Sequence, residues 1–262
     1  MSLVAHRQLD RHFLVTGAGT GIGRAIAHRL AAEGARVSLF GRTTSKLDAV
    51  AHELKAQGSE AFTVGCDVRD RASVQNAVQA ATDALGPLHG AIANAGMGGP
   101  NFPGEGDQFD ALIETNLIGT YSTLRAAQAA LAPGPEVRHL VAISSILGRI
   151  GVPGYTGYCA AKTGIIGLVR ALAAELAKHQ IQVNAVCPGW VNTQMARDGV
   201  QGMATAMRIS YEEALAIAMK DVPAGRMSEP EHIAGMVAWL VSEDARGVTG
   251  QGLDMNGGAW MG

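Results

Sequence analysis

Short apolar runs alternate along the chain with longer segments whose apolar residues recur every three or four positions. The short runs lack the polar alternation of a half-exposed strand, which indicates strands covered on both faces. We predict strands at residues 11–16, 36–40, 61–66, 89–93, 137–143, 182–186 and 253–255. The pattern therefore predicts a sheet that is buried between two layers.

The longer segments have the spacing of helices with one apolar face. They lie at residues 24–34, 44–57, 72–85, 109–131, 155–177 and 231–241. Residues 194–222 combine methionines with small residues, which we interpret as a flexible helical insert that covers the substrate. Strands that alternate with helices predict one α/β domain over residues 1–262. Its sheet is doubly wound and predominantly parallel, with helices on both faces.

Composition narrows the function classes. Apolar residues make up 47% of the 262 residues and the net charge is −2, so we expect a globular domain with no nucleic-acid or membrane partner. No run reaches the ~20 apolar residues that a membrane-spanning helix needs. The eight histidines lack metal-ligand spacing, so no metal is expected. Three cysteines without a CxxC pair, and a first ten residues without a signal-peptide core, predict a cytoplasmic protein.

A glycine-rich segment, GAGTGIG at residues 17–23, follows the first strand and opens the first helix. That order is the context in which such a motif binds a dinucleotide. Gly17 supplies a tight turn, Gly21 lets the backbone approach a pyrophosphate, and Gly23 allows the helix to pack against the strand. The helix N-terminus then directs free N–H groups at the phosphates.

Residues 41–43, Gly-Arg-Thr, follow the second strand. In NAD-binding folds an acidic residue near this point holds the ribose 2′-hydroxyl group. Here Arg42 offers a guanidinium, which suits a 2′-phosphate, so NADP(H) is favoured over NAD(H). The alternative is that Arg42 is a solvated surface residue.

Tyr158 and Lys162 are four residues apart in a helical segment and therefore share one face. An ammonium group beside a phenol lowers the pKa of the phenol, which would suit Tyr158 for acid–base catalysis. The spacing also occurs by chance in many helices. Two other polar residues stand out: Asp67, which could reach an adenine or cap a turn, and Asn116, a poor helix former within a predicted helix.

The sequence resembles the short-chain dehydrogenase/reductase family in its single-domain form, from Phe13 to about Gly258. The matching segments stand in the order of the family: TGAGTGIG at 16–23, CDV at 66–68, NAG at 94–96, Asn116, ISS at 143–145, YCAAK at 158–162 and PGWVNTQM at 188–195. The resemblance implies a Rossmann fold and an NAD(P)-dependent oxidoreductase that acts on CH–OH groups. The sequence departs from the family pattern at Ala93, where the family often has Asn, and at Cys159, where Ser is frequent. We expect Cys159 to be a packing residue. The alternative is that Cys159 is a redox-sensitive thiol.

The resemblance implies four catalytic residues. Tyr158 exchanges a proton with the substrate oxygen, and Lys162 lowers its pKa and holds the nicotinamide ribose. Ser145, thirteen positions before Tyr158, hydrogen-bonds the same oxygen and is favoured over Ser144 by the family spacing. Asn116 holds a water molecule in a proton relay to Lys162.

The resemblance also implies the cofactor contacts. Asp67 and Val68 face the adenine, residues 94–96 face the adjacent ribose, and Val191 and Thr193 fix the carboxamide. The full expected set is Gly17, Thr20, Gly21, Ile22, Gly23, Arg42, Thr43, Asp67, Val68, Asn94, Ala95, Gly96, Tyr158, Lys162, Pro188, Gly189, Val191 and Thr193.

We expect a mostly apolar substrate pocket, because the side chains near the catalytic segment are apolar, and Arg149 is expected to be solvated. The expected substrate-binding residues are Ser145, Leu147, Val152, Tyr158, Trp190 and Met195. The favoured reaction is hydride transfer between NADP(H) and a ketone or secondary alcohol with a hydrophobic body. The alternative is a 3-oxoacyl-thioester reductase or hydroxyacyl-CoA dehydrogenase. An alternative of another class, a non-catalytic dinucleotide-binding sensor, predicts a broken Ser-Tyr-Lys set.

Many members of the family form tetramers through the helices that carry Asn116 and Tyr158. The Ala-rich, weakly charged run at residues 165–177 fits such a seam. The resemblance therefore implies a homotetramer, a dimer of dimers.

Overall fold

The computed structural model describes residues 7–262, which form a seven-stranded sheet covered by helices on both faces. All six pairings between neighbouring strands are parallel, in the order β3-β2-β1-β4-β5-β6-β7. The predicted fold class is confirmed. The first six residues of the predicted domain lie outside the described range. The strands are β1 His12–Thr16, β2 Arg36–Gly41, β3 Ala61–Gly65, β4 Gly90–Ala93, β5 Arg138–Ile143, β6 Ile181–Pro188 and β7 Gly252–Met255.

Nine α-helices connect and cover the strands in the described part of the chain. None of them is both long enough and apolar enough to cross a membrane. The helices are α1 Gly21–Ala32, α2 Thr44–Ala56, α3 Arg71–Leu85, α4 Phe109–Ile113, α5 Gly119–Ala129, α6 Thr156–Leu176, α7 Gln194–Met207, α8 Tyr211–Met219 and α9 Pro230–Leu240.

Two apolar cores lie on opposite faces of the sheet. Side chains of successive strand residues point to opposite faces, so Phe13 joins the core beneath α1, α2 and α9, and Leu14 joins the core beneath α3, α5 and α6. Leu30 of α1 and Leu124 of α5 are fully buried in these two cores. The strands are covered on both faces, which explains their continuous apolar runs.

The strand order reverses at β1, which pairs with β2 on one side and β4 on the other. In a parallel sheet this reversal opens a crevice at the carboxyl ends of the strands, where ligands bind. The glycine-rich segment 17–23 follows β1, and residues 94–96 follow β4. The fold therefore brings two of the predicted cofactor segments to one crevice.

The helix predicted at residues 109–131 is confirmed from Phe109 to Ala129, and it contains a short π-helical segment. A π-helical segment, Glu114–Ile118, separates α4 from α5, and Asn116 lies fully buried at its centre. The Asn116 amide donates to the carbonyl of Leu112 at 2.9 Å, and the Thr120 hydroxyl donates to the carbonyl of Asn116 at 2.6 Å. These side-chain bonds occupy backbone carbonyls within the wider turn. Such π-helical segments are frequent at functional sites.

Helices α7 and α8 occupy most of the predicted helical insert at residues 194–222. They enclose a small apolar cluster of their own, formed by Val200, Ala204 and Ala214 with partly buried neighbours that include Trp190. This cluster is separate from both cores of the sheet. A role of the two helices as a substrate lid stays a prediction.

Candidate active site

The glycine-rich segment has the backbone geometry that its sequence predicts. Gly17 and Gly21 have φ angles of +66° and +53°, which favour glycine. A Cβ atom at Gly23 would lie 2.3 Å from the carbonyl oxygen of Gly17, so no other residue fits there. Thr20 precedes α1 without a side-chain cap, which leaves the first N–H groups of α1 free to meet a phosphate. Ile22 packs against the core on the α1 face.

Thr16 and Asn94 join the carboxyl ends of β1 and β4. The Thr16 hydroxyl accepts hydrogen bonds from the N–H groups of Asn94 at 3.0 Å and Ala95 at 2.9 Å. The Asn94 amide donates to the carbonyl of Thr16 at 2.9 Å. Asn94 thus holds the crevice together, and its contact with a ribose stays a prediction. Our sequence reasoning included Thr16 in the TGAGTGIG match but gave it no role, because its bonds to residues 94 and 95 form only in the folded chain.

The predicted catalytic residues converge beside this segment. The Nζ atom of Lys162 lies 5.5 Å from the centroid of the Tyr158 ring. A Cβ atom at Gly96 would lie 2.7 Å from Oδ1 of Asn116 and 3.7 Å from Nζ of Lys162, so both side chains approach the same backbone. Ala95, the residue before Gly96, lies against the glycine-rich turn: a Cβ atom at Gly17 would lie 3.0 Å from Cα of Ala95. The glycine-rich turn and the catalytic side chains are therefore neighbours.

The two adjacent serines make different contacts. The Ser144 hydroxyl donates to the carbonyl of Lys162 at 2.8 Å and so fastens β5 to α6. The Ser145 oxygen accepts from the N–H of Leu147 at 3.1 Å, which leaves its own hydrogen free to donate. Ser144 is thus committed to the backbone, which supports the choice of Ser145.

Burial dominates the proton affinities of the catalytic pair. It raises the pKa of Tyr158 to about 12, opposed by the hydrogen bond of Ser145, and it lowers the pKa of Lys162 to about 8. The Nζ atom of Lys162 donates to the carbonyl of Ile143 at 2.9 Å. Loss of solvation is the largest influence on the Tyr158 pKa, and the prediction that Lys162 lowers this pKa stays a prediction. Tyr158 is therefore protonated at neutral pH and can donate that proton.

Arg42 lies exposed after β2, and within residues 7–262 its side chain forms no hydrogen bond or ion pair. Thr43 beside it precedes α2 and makes no side-chain cap. The guanidinium is thus free to meet an anionic group at the carboxyl edge of the sheet. This arrangement fits a 2′-phosphate.

Asp67 caps a local turn, which is one of the two roles that the sequence left open for it. Its carboxylate accepts from the N–H of Arg69 at 3.0 Å and from the guanidinium of Arg69 at 2.6 Å. This hydrogen bonding lowers the pKa of Asp67, with a smaller contribution from Arg42. Val68 is buried against Gly119. Contacts of Asp67 and Val68 with an adenine stay predictions, and Arg69 is a neighbour that our sequence reasoning missed.

The segment after β6 reaches the glycine-rich turn from the other side. A Cβ atom at Gly21 would lie 3.2 Å from Cγ2 of Thr193, whose hydroxyl caps α7. Val191 is buried, and Gly189, after Pro188, leaves no room for a side chain beside Asn256. The predicted cofactor residues after β6, at 188–193, therefore lie beside the predicted cofactor residues of the glycine-rich turn.

The predicted substrate residues differ in how exposed their side chains are. Leu147 and Val152 are partly buried, and Met195 is 49% exposed. The Met195 sulfur lies 3.0 Å from the position of a Cβ atom at Gly98, so α7 contacts the loop of residues 97–107. Trp190 packs in the cluster of α7 and α8. Their contacts with a substrate stay predictions.

Arg149 is not solvated, so that expectation is wrong. Its side chain is only 14% exposed and pairs with Asp254 at 3.3 Å. It also donates to the carbonyl of Gly252 at 2.7 Å and lies over the ring of Trp260. Arg149 therefore fastens the segment after β5 to β7. Cys159 is partly buried, with its sulfur 3.7 Å from the carbonyl of Ile150.

Comparisons with known proteins agree over nearly the whole chain. A family model described as enoyl-(acyl carrier protein) reductase matches residues 17–259. A Streptomyces virginiae protein assigned as the ketoacyl reductase of the monensin polyketide synthase is 40% identical over 255 residues, which cover 95% of this chain and 97% of that protein. The 3-oxoacyl-(acyl-carrier-protein) reductase FabG of Staphylococcus aureus is 33% identical over 257 residues, which cover 97% of this chain and 100% of that protein.

Solved structures give the same result. A variant of actinorhodin polyketide ketoreductase, solved with NADPH, superposes with a TM-score of 0.89 and 35% identity, covering 97% of this chain and 98% of that chain. Levodione reductase superposes with a TM-score of 0.86 and 33% identity, covering 95% of this chain and 97% of that chain. The likeness thus includes both the glycine-rich crevice and the segment with Tyr158.

Proposed function

Because the chain belongs to the short-chain dehydrogenase/reductase family of NAD(P)-dependent oxidoreductases, we propose that it uses NADPH to reduce a ketone in a hydrophobic acyl or polyketide chain. One observation carries this proposal: Ser145, Tyr158 and Lys162 are gathered beside the glycine-rich turn. The complete Ser-Tyr-Lys set argues against a non-catalytic sensor.

The residues present fit a dinucleotide. The uncapped start of α1 receives the pyrophosphate, Gly23 allows the close packing beneath it, and Arg42 meets the 2′-phosphate. Bound NADPH supplies the hydride that reduces the carbonyl carbon. The preference for NADPH is supported by the free Arg42 guanidinium and by the related ketoreductase that was solved with NADPH.

The proton comes from this chain. Tyr158 is protonated at neutral pH and donates its proton to the ketone oxygen as negative charge develops there. Ser145 donates a second hydrogen bond to the same oxygen. Lys162, fixed by the Ile143 carbonyl, holds the nicotinamide ribose, and its positive charge stabilises the phenolate that Tyr158 leaves behind. Asn116 and Lys162 both approach Gly96, and in this proposal a water molecule beside them reprotonates Tyr158.

Replacing the proposed acid tests the mechanism directly. Tyr158→Phe is expected to lower kcat on the order of 10²-fold or more, because the proton donor is lost. NADPH consumption with a panel of ketones and 3-oxoacyl thioesters is the measurement, and Tyr121→Phe, which changes a tyrosine on α5, is the control. Near-unchanged turnover of Tyr158→Phe would contradict the assignment.

A second candidate substrate is a 3-oxoacyl group on an acyl carrier protein, the substrate named for the Staphylococcus aureus relative. The same panel separates the two candidates when it includes a carrier-bound thioester and a free thioester of equal chain length. A large preference for the carrier-bound form that weakens with added salt supports carrier docking through charged groups. Equal, salt-insensitive rates support a free substrate.

We also propose a cytoplasmic homotetramer. The exposed face of α6 presents small residues, among them Ala160, Gly167 and Ala174, which allow close approach of a second helix. The described cysteines are unpaired, which fits a reducing compartment. Light scattering at micromolar concentration tests the assembly, and a stable monomer would refute it.

A further inference from the structure

The catalytic helix α6 begins without a local cap. The residue before it, Tyr155, makes no side-chain bond to the first turn. The N–H group of Gly157 instead donates to Oδ1 of Asn101 at 2.8 Å, and Asn101 lies 56 residues away in the loop of residues 97–107. A helix start normally receives such a bond from the residue immediately before it. Here a distant side chain supplies it, one residue before Tyr158.

Asn101 is fully engaged and almost fully buried, with 6% exposure. Its N–H donates to the carbonyl of Gly154 at 2.7 Å, and its Nδ2 atom donates to the Thr156 hydroxyl at 3.0 Å. Nδ2 also donates to the carboxylate of Asp107 at 3.1 Å. The two atoms of one amide thus connect the loop with the start of α6.

Close packing surrounds these hydrogen bonds. A Cβ atom at Gly154 would lie 3.0 Å from the ring of Phe102, and one at Gly157 would lie 3.2 Å from Cα of Phe109. On its other side the loop meets Met195 of α7 at Gly98. The loop therefore lies between α7 and the first turn of α6, with Asn101 at the contact with α6.

We propose that Asn101 is a positioning residue that fixes the first turn of α6 and thereby sets the Tyr158 hydroxyl relative to Ser145. It couples the loop on the substrate side to the proton donor. The proposal rests on the proposed function, in which Tyr158 is the acid. Asn101 has no contact with Lys162, which is held one turn later by the Ile143 carbonyl.

The first test is Asn101→Ala. Displacement of a reacting group by about 1 Å can cost on the order of 10²-fold in rate, so we expect kcat for ketone reduction to fall about 10- to 100-fold. The Kd for NADPH, measured by nicotinamide fluorescence, should change less than about twofold, because the glycine-rich turn and Arg42 are not altered. Amide hydrogen exchange at residues 157–159 should accelerate.

The matched control is Asn184→Ala. Asn184 is an equally buried asparagine that also bridges two backbone segments, through the carbonyl of Val248 at 2.7 Å and the N–H of Gln251 at 3.1 Å. It forms no hydrogen bond with any of the proposed catalytic residues. We expect this variant to lose thermal stability as Asn101→Ala does, but to keep its kcat. An equal kcat in the two alanine variants would overturn the proposal.

A pair of nearly isosteric variants covers the case in which Asn101→Ala does not fold. Asn101→Asp keeps an acceptor for the Gly157 N–H but sets two carboxylates side by side at Asp107, so kcat should fall. Adding Asp107→Asn returns a donor to the pair and should recover most of the lost kcat. Loss in the single variant with recovery in the double variant supports the proposal, and any other pattern overturns it. If the unaltered protein reduces no ketone with NADPH, the proposed function fails instead.

Discussion

At the scale of single residues, burial strengthens the hold of the proposed acid, Tyr158, on its proton. Tyr158 and Lys162 share a helix face as their spacing predicts, yet burial moves the pKa of the phenol upwards and that of the ammonium group downwards. Sequence spacing identifies which groups meet, but it carries no information about how much water each group loses. A protonated Tyr158 suits the direction of ketone reduction, because the acid must hold its proton before hydride transfer.

The exposed guanidinium of Arg42 leads to a prediction about the preference for NADPH over NADH. Arg42→Ala should raise the KM for NADPH roughly 10- to 100-fold, since a hydrogen bond to a charged group contributes about 1.5–3 kcal/mol. The KM for NADH should hardly change, because NADH lacks the 2′-phosphate. Lys55→Ala, which removes a cation from the last turn of α2, is the control for a general charge effect. An unaltered ratio of the two KM values would remove Arg42 from cofactor selection.

At the scale of elements, the start of α1 depends on one glycine that admits no side chain. Gly23→Ala would bring a methyl group to 2.3 Å from the carbonyl oxygen of Gly17, so the turn must shift away from its phosphate-binding geometry. We expect NADPH affinity to fall at least tenfold, together with a lower Tm. Calorimetric titration and thermal unfolding measure the two effects.

The control is the same substitution in another helix. Gly202 of α7 has open space around the position of a Cβ atom, so Gly202→Ala should raise stability by about 0.5–1 kcal/mol through helix propensity. NADPH affinity should stay as it was. If both substitutions left NADPH affinity unchanged, the close packing at Gly23 would have no role in binding.

Most elements could be predicted from apolar periodicity and glycine, because those signals are local. The π-helical segment inside the predicted helix at residues 109–131 was not predicted, because the bonds from the Asn116 and Thr120 side chains to backbone carbonyls have no sequence motif. The bond from Gly157 to Asn101 crosses 56 residues and has no motif. Thr16 and Arg149 likewise became interpretable only once the folded chain brought their partners near them.

At the scale of the whole molecule, buried histidines lie where the strands begin, at the end of the sheet opposite the candidate site. His12 bonds to the carbonyl of Gly86 at 2.7 Å and to the Ser38 hydroxyl at 2.8 Å, and burial lowers its pKa to about 4. Neither ring nitrogen of His139 forms a well-aligned hydrogen bond within residues 7–262, and burial, weakly opposed by the Leu240 backbone, lowers its pKa to about 3. Both side chains are therefore neutral in the folded protein.

These histidines predict acid-sensitive stability. An unfolded histidine titrates near pH ~6.5, so below that pH the unfolded chain binds more protons than the folded chain and stability falls. The loss continues down to about pH 4 for His12 and about pH 3 for His139. Urea unfolding between pH 7 and 4 should show a decrease of a few kcal/mol, since one pKa unit corresponds to about 1.4 kcal/mol.

His139→Leu separates this effect from other acid-induced changes. It removes from the core a polar ring without a well-aligned hydrogen bond, so the variant should lose less stability than the unaltered protein between pH 7 and 4. His232→Leu, which changes a histidine on α9 that is not buried, serves as the comparison. Identical pH dependence in all three proteins would mean that His139 does not contribute.

The separate apolar cluster of α7 and α8 has an evolutionary consequence. Because these two helices stabilise each other without drawing on the cores beneath the sheet, their sequence can diverge while the crevice and its proton donor keep their geometry. If the two helices cover the substrate as we predict, one ancestral scaffold can in this way acquire new substrate ranges by mutational drift in a single module. Exchange of the segment between homologues is then a route to altered selectivity that leaves the reaction itself intact.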